Sequence, residues 1–308
     1  MQNSATANPL LSGVFTKFMR DEAGFVAEAV APTFNTALQS ARYYVMDKDN
    51  QLLIPTDIER APGAPHKRVS MKLSDDNFFC KNYGISFPVA DEDRIRYSIA
   101  LNADTAAIKR IVDIIKVNRE LRVKAKITNP AVISNSSPAV KWNDTGCNPR
   151  TDADVAKESV RKGCGARVNT MIISETVRLN LSQNKEIRKA FQLAISGNVT
   201  IDMLKAYFEI QTILVAGTVL ATSAEGQTIT ADDIWSDDVV FAHVEPGQDL
   251  MSTNLCRSFN WQPIGSIEGN VETWRDADSK SDVHQVDHAT DEKIVCAPAG
   301  YLLTDVLA

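Results

Sequence analysis

Residues 104–126, Asp-Thr-Ala-Ala-Ile-Lys-Arg-Ile-Val-Asp-Ile-Ile-Lys-Val-Asn-Arg-Glu-Leu-Arg-Val-Lys-Ala-Lys, decide how the rest of the chain is read. Ala107, Ile111, Ile114, Asn118, Leu121 and Ala125 recur at steps of three and four. That spacing predicts one helix with a single inward stripe, and it sets Lys109, Lys116, Arg119 and Lys126 off the stripe. Asn129-Pro130 ends the run, because the residue before a proline is pushed out of the helical region. A helix of this length spans roughly 35 Å, enough to serve as a spine.

Upstream of the spine the chain changes character. From Ile54 to Pro88 it carries Pro55, Pro62, Gly63, Pro65, Gly84 and Pro88, which argues against long helices and central strands. Between these breakers Val69, Met71 and Leu73 alternate with Ser70, Lys72 and Ser74, the period of a half-exposed strand. Tyr43, Tyr44 and Val45 lead into this stretch with strand character, then Asp47-Lys48-Asp49-Asn50 turns. An extended loop of this length inside a compact chain usually carries function. Residues 1–40 hold Leu10, Leu11, Val14, Phe15 and Phe18 at helical spacing over one short piece, an arm that needs a partner surface.

Downstream, Thr151-Asp152-Ala153-Asp154 opens a short helix that Gly163 and Gly165 close, and Asn169–Ser174 reads as an apolar strand. Three short helices are expected over 175–181, 185–196 and 201–207, and strands over 210–220 and 239–244. Thr230-Ala231-Asp232-Asp233 resembles a helical capping box. The last fifty residues are mostly β-like, so the class is α+β.

The chain has 308 residues, 44% hydrophobic and 23% charged, close to globular averages. Its net charge of −6 argues against a dedicated nucleic-acid binder. Met1 to Phe15 lacks the basic-then-apolar order of a secretory signal, and the stretch 210–221 is too short to span a bilayer. The cysteines, at 80, 147, 164, 256 and 296, are odd in number and scattered, as suits a reducing compartment. Cys147 and Cys164 stand at a spacing that could hold zinc, but no second pair completes the ligands.

No phosphate loop, nucleophile elbow, zinc-protease helix or dinucleotide turn occurs. His284, Asp287 and His288 form the tightest group of titratable residues, and their strand spacing reads as a solvated face rather than a metal site. Asp232-Asp233 with Asp237-Asp238 is the weaker candidate for a cation. No cofactor and no metal are expected. Charge is segregated along the chain: residues 109–126 carry seven basic against two acidic groups, whereas 206–256 has eight acidic and no basic ones.

The order of these features resembles the tailed-phage major capsid proteins. An Ala/Phe-rich arm is followed by Tyr43-Tyr44-Val45-Met46-Asp47-Lys48, by the Pro-rich stretch Arg60-Ala61-Pro62-Gly63-Ala64 and by the long helix. Then come Trp142-Asn143-Asp144-Thr145, Asp152-Ala153-Asp154-Val155, Asn169-Thr170-Met171-Ile172-Ile173, and Ala231 to Val240. The resemblance covers nearly the whole chain. It implies a Hong-Kong-97-type α+β fold: an N-terminal arm over 1–45, an extended β-hairpin loop over 46–90, a peripheral lobe from 91–165 with 272–308, and an axial lobe over 166–271.

It further implies a shell subunit, not an enzyme, that assembles with itself into hexamers and pentamers of an icosahedral head in the host cytoplasm and resides in the virion. Other implied partners are a separate scaffolding protein, a portal and packaged double-stranded DNA held by non-specific contact; a decoration protein is also compatible, a membrane is not. Assembly contacts are expected from Val69, Met71, Leu73, Arg60, Lys67 and Arg68, and an interior, DNA-facing role from Lys116 and Arg119, with the acidic 206–256 region outward. Two other readings stay open: an encapsulin-like nanocompartment shell, and an α+β enzyme without a recognisable motif.

Overall fold

The computed structural model describes residues 6–7, 24–45, 56, 58–63, 65–68, 74–97, 103–191, 199–223, 226–228, 230–249, 252–265 and 269–308. In chain order, a two-residue strand β1 (Thr6–Ala7) precedes one helical turn, α1 (Ala27–Val30), and the strand β2 (Thr33–Thr36). Strands β3 (Ser40–Val45) and β4 (Ser74–Phe79) form an antiparallel ribbon, whose outermost described pair is Val45 and Ser74. Strand β5 (Lys81–Ala90) runs directly into α2 (Asp91–Tyr97), and α3 (Ala103–Ile127) is the expected spine, 25 residues long.

After β6 (Ser134–Ser136), helix α4 (Pro149–Cys164) begins with its cap in place. The Asn148 side chain accepts from the Thr151 N–H, Pro149 takes a position that needs no donor, and Gly165 at φ 77° provides the left-handed exit. Strand β7 (Thr170–Ser174) is buried throughout, and its last residue, Ser174, caps α5 (Glu175–Gln183). Asn184 caps α6 (Lys185–Ala190), and Thr200 caps α7 (Ile201–Phe208). The remaining elements are β8 (Thr212–Ala216), β9 (Val219–Ala221), β10 (Ala231–Asp233), β11 (Val239–Ala242), β12 (Cys256–Trp261), β13 (Asn270–Asp276), β14 (Ser281–Ile294), a 3-10 turn (Ala297–Ala299) and β15 (Gly300–Leu303).

These strands build two main sheets. One runs β1-β13-β14-β12-β2, with β5 on the other side of the long β14. The other runs β6-β15-β11-β7-β8. Strand β5 contains Pro88 and pairs with β14 alone, so the missing donor falls on an edge strand, where it costs no ladder bond. Helix α4 packs Ala153, Ala156 and Val160 with Met171, Phe241 and Leu303 of the five-stranded sheet.

Several expectations differ from this arrangement. Residues 149–165 and the final strand β15 lie with the five-stranded sheet instead of with the spine's sheet, while β12 lies in the spine's sheet. The partners of β12 and β15 include strands distant in sequence, which local patterning does not encode. Residues 231–233 form a strand paired with β9, not a helix start, because the Val219–Ala221 backbone offers a ladder partner. The expected 210–220 strand is divided at Gly217, whose N–H donates to the Gly24 carbonyl at 3.2 Å where the two backbones cross. Of the helix expected over 185–196, α6 covers 185–190 and residues 192–198 lie outside the described residues.

The spine helix is where the sequence reading and the structure differ most instructively. Its buried residues are Ala107, Ile108, Ile111, Val112, Ile115, Lys116, Arg119, Glu120, Val123 and Ile127. Ile108, Ile111, Val112 and Ile115 pack on Val271 and Val286 of the six-stranded sheet, and Val123 and Ile127 pack on Ile172, Val240 and Leu302 of the five-stranded one. The helix thus joins the two sheets. Beyond Ile111 the real stripe departs from the expected one, leaving Asn118 and Ala125 exposed, because three of the inward positions carry charged side chains.

Candidate assembly surface

The ribbon β3–β4 is rooted on the six-stranded sheet through one aromatic cluster. At the root, Phe78 stacks on Phe259 with ring centroids 4.4 Å apart, and Tyr43 lies 5.3 Å from the same ring. The Tyr43 hydroxyl donates to Asp76 Oδ2 at 2.8 Å, which holds the Asp76 carboxyl below the usual carboxylate range. Phe79 N–H donates to Asp291 Oδ2 at 3.0 Å, while the Phe79 side chain stands exposed. The expected loop boundary of 46–90 is therefore too generous, since β4 and β5 belong to the body of the subunit.

Every described residue from 56 to 68 is exposed, including Ile58 at 78%. Arg60, Lys67 and Arg68 sit on this segment with His66, and Pro62-Gly63 turns it, Gly63 at φ 82°. Val69, Met71 and Leu73 lie outside the described residues. An exposed apolar residue beside several exposed cations makes a surface suited to another molecule.

A second exposed feature flanks the start of the spine. Arg94 bridges Asp104 at 2.7 Å and Asp282 at 2.9 Å, and Arg275 bridges Asp282 at 3.1 Å and also pairs with Asp91. This network ties α2 to β13 and β14 and leaves Ile95 76% exposed on α2. Phe87 on the neighbouring edge strand is also exposed.

The histidines do not form a solvated face. His284 is 2% exposed, with Nε2 2.9 Å from Asp104 Oδ1 and Nδ1 3.0 Å from the Thr273 hydroxyl. His288 is 3% exposed and stacks on Tyr83. The strand spacing is right, but both rings point to the spine-covered side. Burial, then the positive Arg122, push His288 from the usual 6.5 down to about 4, with Glu292 opposing and Arg119 adding to the shift.

The folded chain therefore keeps His288 neutral where the unfolded chain is protonated. Stability is retained above about pH 6.5 and falls as the pH drops toward 4, by about 3 kcal/mol in all. Urea midpoints of the unassembled subunit at pH 7.5 and 4.5 should show this loss, and His288→Phe should remove most of it.

The N-terminal segment is latched to the spine by two charged residues that apolar patterning set aside. Glu120 accepts from the Val26 N–H at 3.2 Å, the Ala27 N–H at 3.0 Å and Trp235 Nε1 at 2.5 Å. Burial raises its carboxyl above the usual range, against the three donors that favour the anion. Arg119 donates to the Ala31 carbonyl at 3.4 Å and the Thr33 hydroxyl at 3.3 Å.

Val26, Ala27, Val30 and Ala31 are buried here, so this part of the expected arm is core. The same burial corrects the DNA-facing assignment. Lys116 is 6% and Arg119 5% exposed, with the Lys116 ammonium 5.1 Å from the Phe25 ring centroid. On this helix the exposed basic residues are Lys109, Arg110 and Lys126.

The acidic candidates also rearrange. Asp232 and Asp233 accept from the Thr222 and Thr176 hydroxyls, at 2.9 and 2.6 Å, and are not gathered with Asp237. Among the described residues, the carboxylates that do come together, within 4.8 Å, are Asp237, Asp238 and Asp305. Burial first, and then Asp237, raise the Asp238 carboxyl. Cys147 and Cys164 do not share a site: the Cys147 thiol donates to the Trp142 carbonyl and accepts from Asn184 Nδ2. Among the described residues, no helix is long and apolar enough to cross a membrane.

No family model matches the sequence. The chain is 24% identical over 243 residues to a protein named as the major capsid protein of Burkholderia phage BcepMu, covering 77% of this chain and 76% of that one. In structure it is similar to a phage-related protein of Bordetella bronchiseptica RB50, with a TM-score of 0.76, 19% identity and 98% of both chains covered. It is also similar to the capsid of Myoviridae phage XM1, with a TM-score of 0.55, 9% identity and 92% of both chains covered. The chain has the Hong-Kong-97-type fold of phage capsid subunits and is a sequence relative of a phage major capsid protein.

Proposed function

We propose that the protein is the major capsid protein of a tailed phage, a structural subunit that assembles with itself into hexamers and pentamers of an icosahedral head enclosing double-stranded DNA. The observation that carries this reading is a capsid fold matched along nearly the full length, together with a sequence relation to a major capsid protein. The exposed segment 56–68 fits the role, since a shell subunit must present surfaces that its neighbours cover. In this reading Arg60, Lys67 and Arg68, with Val69, Met71 and Leu73, lie across an adjacent copy.

The two sheets correspond to the two lobes of such a subunit, the six-stranded sheet with the spine being peripheral and the five-stranded one axial. Any contribution of the spine to DNA contact falls to Lys109, Arg110 and Lys126. A separate scaffolding protein and a portal complete the assembly, and a decoration protein is compatible with it. A cargo-enclosing shell would share the fold, but the sequence relation is to a phage protein. Size-exclusion chromatography with negative-stain microscopy of the expressed protein tests the proposal: shells or capsomer rings are expected, and a strictly monomeric protein at every concentration would contradict it.

A further inference from the structure

The register of β5 with β14 fixes which backbone groups of this edge strand stay open. The Asp91 N–H donates to the Lys280 carbonyl at 3.2 Å, and an unbroken pairing runs on from Ala90 with Ser281 to Lys81 with Thr290. In an antiparallel ladder only alternate residues exchange bonds with one neighbour, so the odd-numbered residues of β5 bond to β14. The even-numbered Asn82, Gly84, Ser86 and Pro88 aim their backbone groups to the other side, Pro88 with a carbonyl alone. Among the described residues no strand pairs with β5 on that side.

The side chains of β5 alternate in the same way. On the odd-numbered face Ile85 packs with Ile108 and Ile111 of the spine, Tyr83 stacks on His288, and Val89 is buried. Phe87 belongs to this apolar face, yet it is 41% exposed. The strand runs into α2, where Ile95, Glu92 and Asp93 are exposed. An open edge ten residues long, apolar on one face and acidic at its end, is a template for another strand.

We infer that the open edge of β5 takes residues 68–73 of a second copy as an added antiparallel strand. The inference rests on the reading that the chain assembles with itself, and it names where the extended loop docks. The segment Arg68-Val69-Ser70-Met71-Lys72-Leu73 alternates polar and apolar residues. With Met71 opposite Phe87, Val69 falls opposite Val89 and Leu73 opposite Ile85, so all three extend the spine-covered face and Met71 covers the Phe87 ring. Lys72 then exchanges two hydrogen bonds with Ser86, and Ser70 donates to the Pro88 carbonyl, so the proline costs the new ladder one bond. A slip by one residue would turn the apolar set to solvent. The antiparallel direction also carries Lys67 and Arg68 toward Glu92 and Asp93, whereas a parallel strand would bring them to the exposed Lys81.

In this register positions 71 and 87 form a non-hydrogen-bonded pair with Cα atoms about 4.5 Å apart, within reach of a disulfide. Shells of the full-length Met71→Cys, Phe87→Cys double variant, oxidised after assembly, should run without reductant as a ladder of covalent oligomers and yield a 71–87 linked peptide by mass spectrometry. Neither single variant should give the ladder. A 71–87 link confined to monomers would mean that each chain fills its own edge, and shells without the link would mean that the segment docks elsewhere. Either result overturns the inference and leaves the capsid reading standing, which fails only if the unaltered chain builds no shells. Ser86→Pro decides the matter where the cysteine pair itself blocks assembly, because the Ser86 N–H points away from β14. This variant should keep the melting temperature of the unaltered subunit and raise the protein concentration needed for assembly about ten-fold, as one lost hydrogen bond at each contact requires. Unchanged assembly, or loss of the cooperative melt, would overturn the inference.

Discussion

Replacing residues 51 to 72 by a short Gly/Ser linker should abolish closed shells while leaving a folded subunit. Among the described residues the ladder between β3 and β4 runs to Val45 and Ser74, so the cut leaves every described pair of the ribbon in place. The root remains held by Tyr43 and Phe78 against Phe259. Within the excised stretch the described residues are all exposed, so they contribute little burial to their own fold. Shortening a surface loop has a small closure cost.

A wider cut, from Asp49 to Asn82, would instead remove Phe78 and Cys80 from a core cluster and should unfold the chain. Circular dichroism with a cooperative melt, together with electron microscopy, separates the outcomes. Complete shells from the short-linker variant would show that the loop is not an assembly element. An unfolded product would show that it belongs to the core.

Glu120→Ala should destabilise the unassembled subunit by about 4 kcal/mol, because it orphans three buried N–H donors at once. Two of them are the backbone amides of Val26 and Ala27, and the third is the indole of Trp235. Glu120 therefore ties together the N-terminal segment, the spine and the start of the β10–β11 passage. The double variant Glu120→Ala, Trp235→Phe should cost less than the sum of the two single changes, since the indole donor that the first change orphans is no longer there. Urea unfolding measures both, and a loss below about 1 kcal/mol for Glu120→Ala would mean that water replaces the carboxylate.

Much of this was legible in the sequence because it is local. The spine, its end before Asn129-Pro130, the capped helix closing at Gly165 and the buried strand at Thr170–Ser174 all follow from periodicity, capping and turn chemistry. What stayed hidden depends on contacts distant in sequence. The spine's face was misphased because Arg119 and Glu120 look like surface residues until residues 26–33 are folded over them. His284 and His288 read as solvated because their cover is a helix some 180 positions earlier, as in the contact of His284 with Asp104.

The exposed segment was legible in part. The Pro-rich composition located an exposed segment carrying Arg60, Lys67 and Arg68, which the structure leaves outside the core. Its downstream boundary was set too far along, since Phe78 and β5 are partners of β12 and β14. The edge-strand position of Pro88 explains why a breaker-rich stretch still forms a ten-residue strand.

An icosahedral reconstruction of particles formed by the purified chain tests the central claim most directly. Every hexamer and pentamer position should be filled by this chain, with residues 58–68 of each copy lying across a neighbouring copy. A particle in which those residues fold back on their own subunit, or a preparation that yields no closed particle with any scaffold supplied, would contradict it.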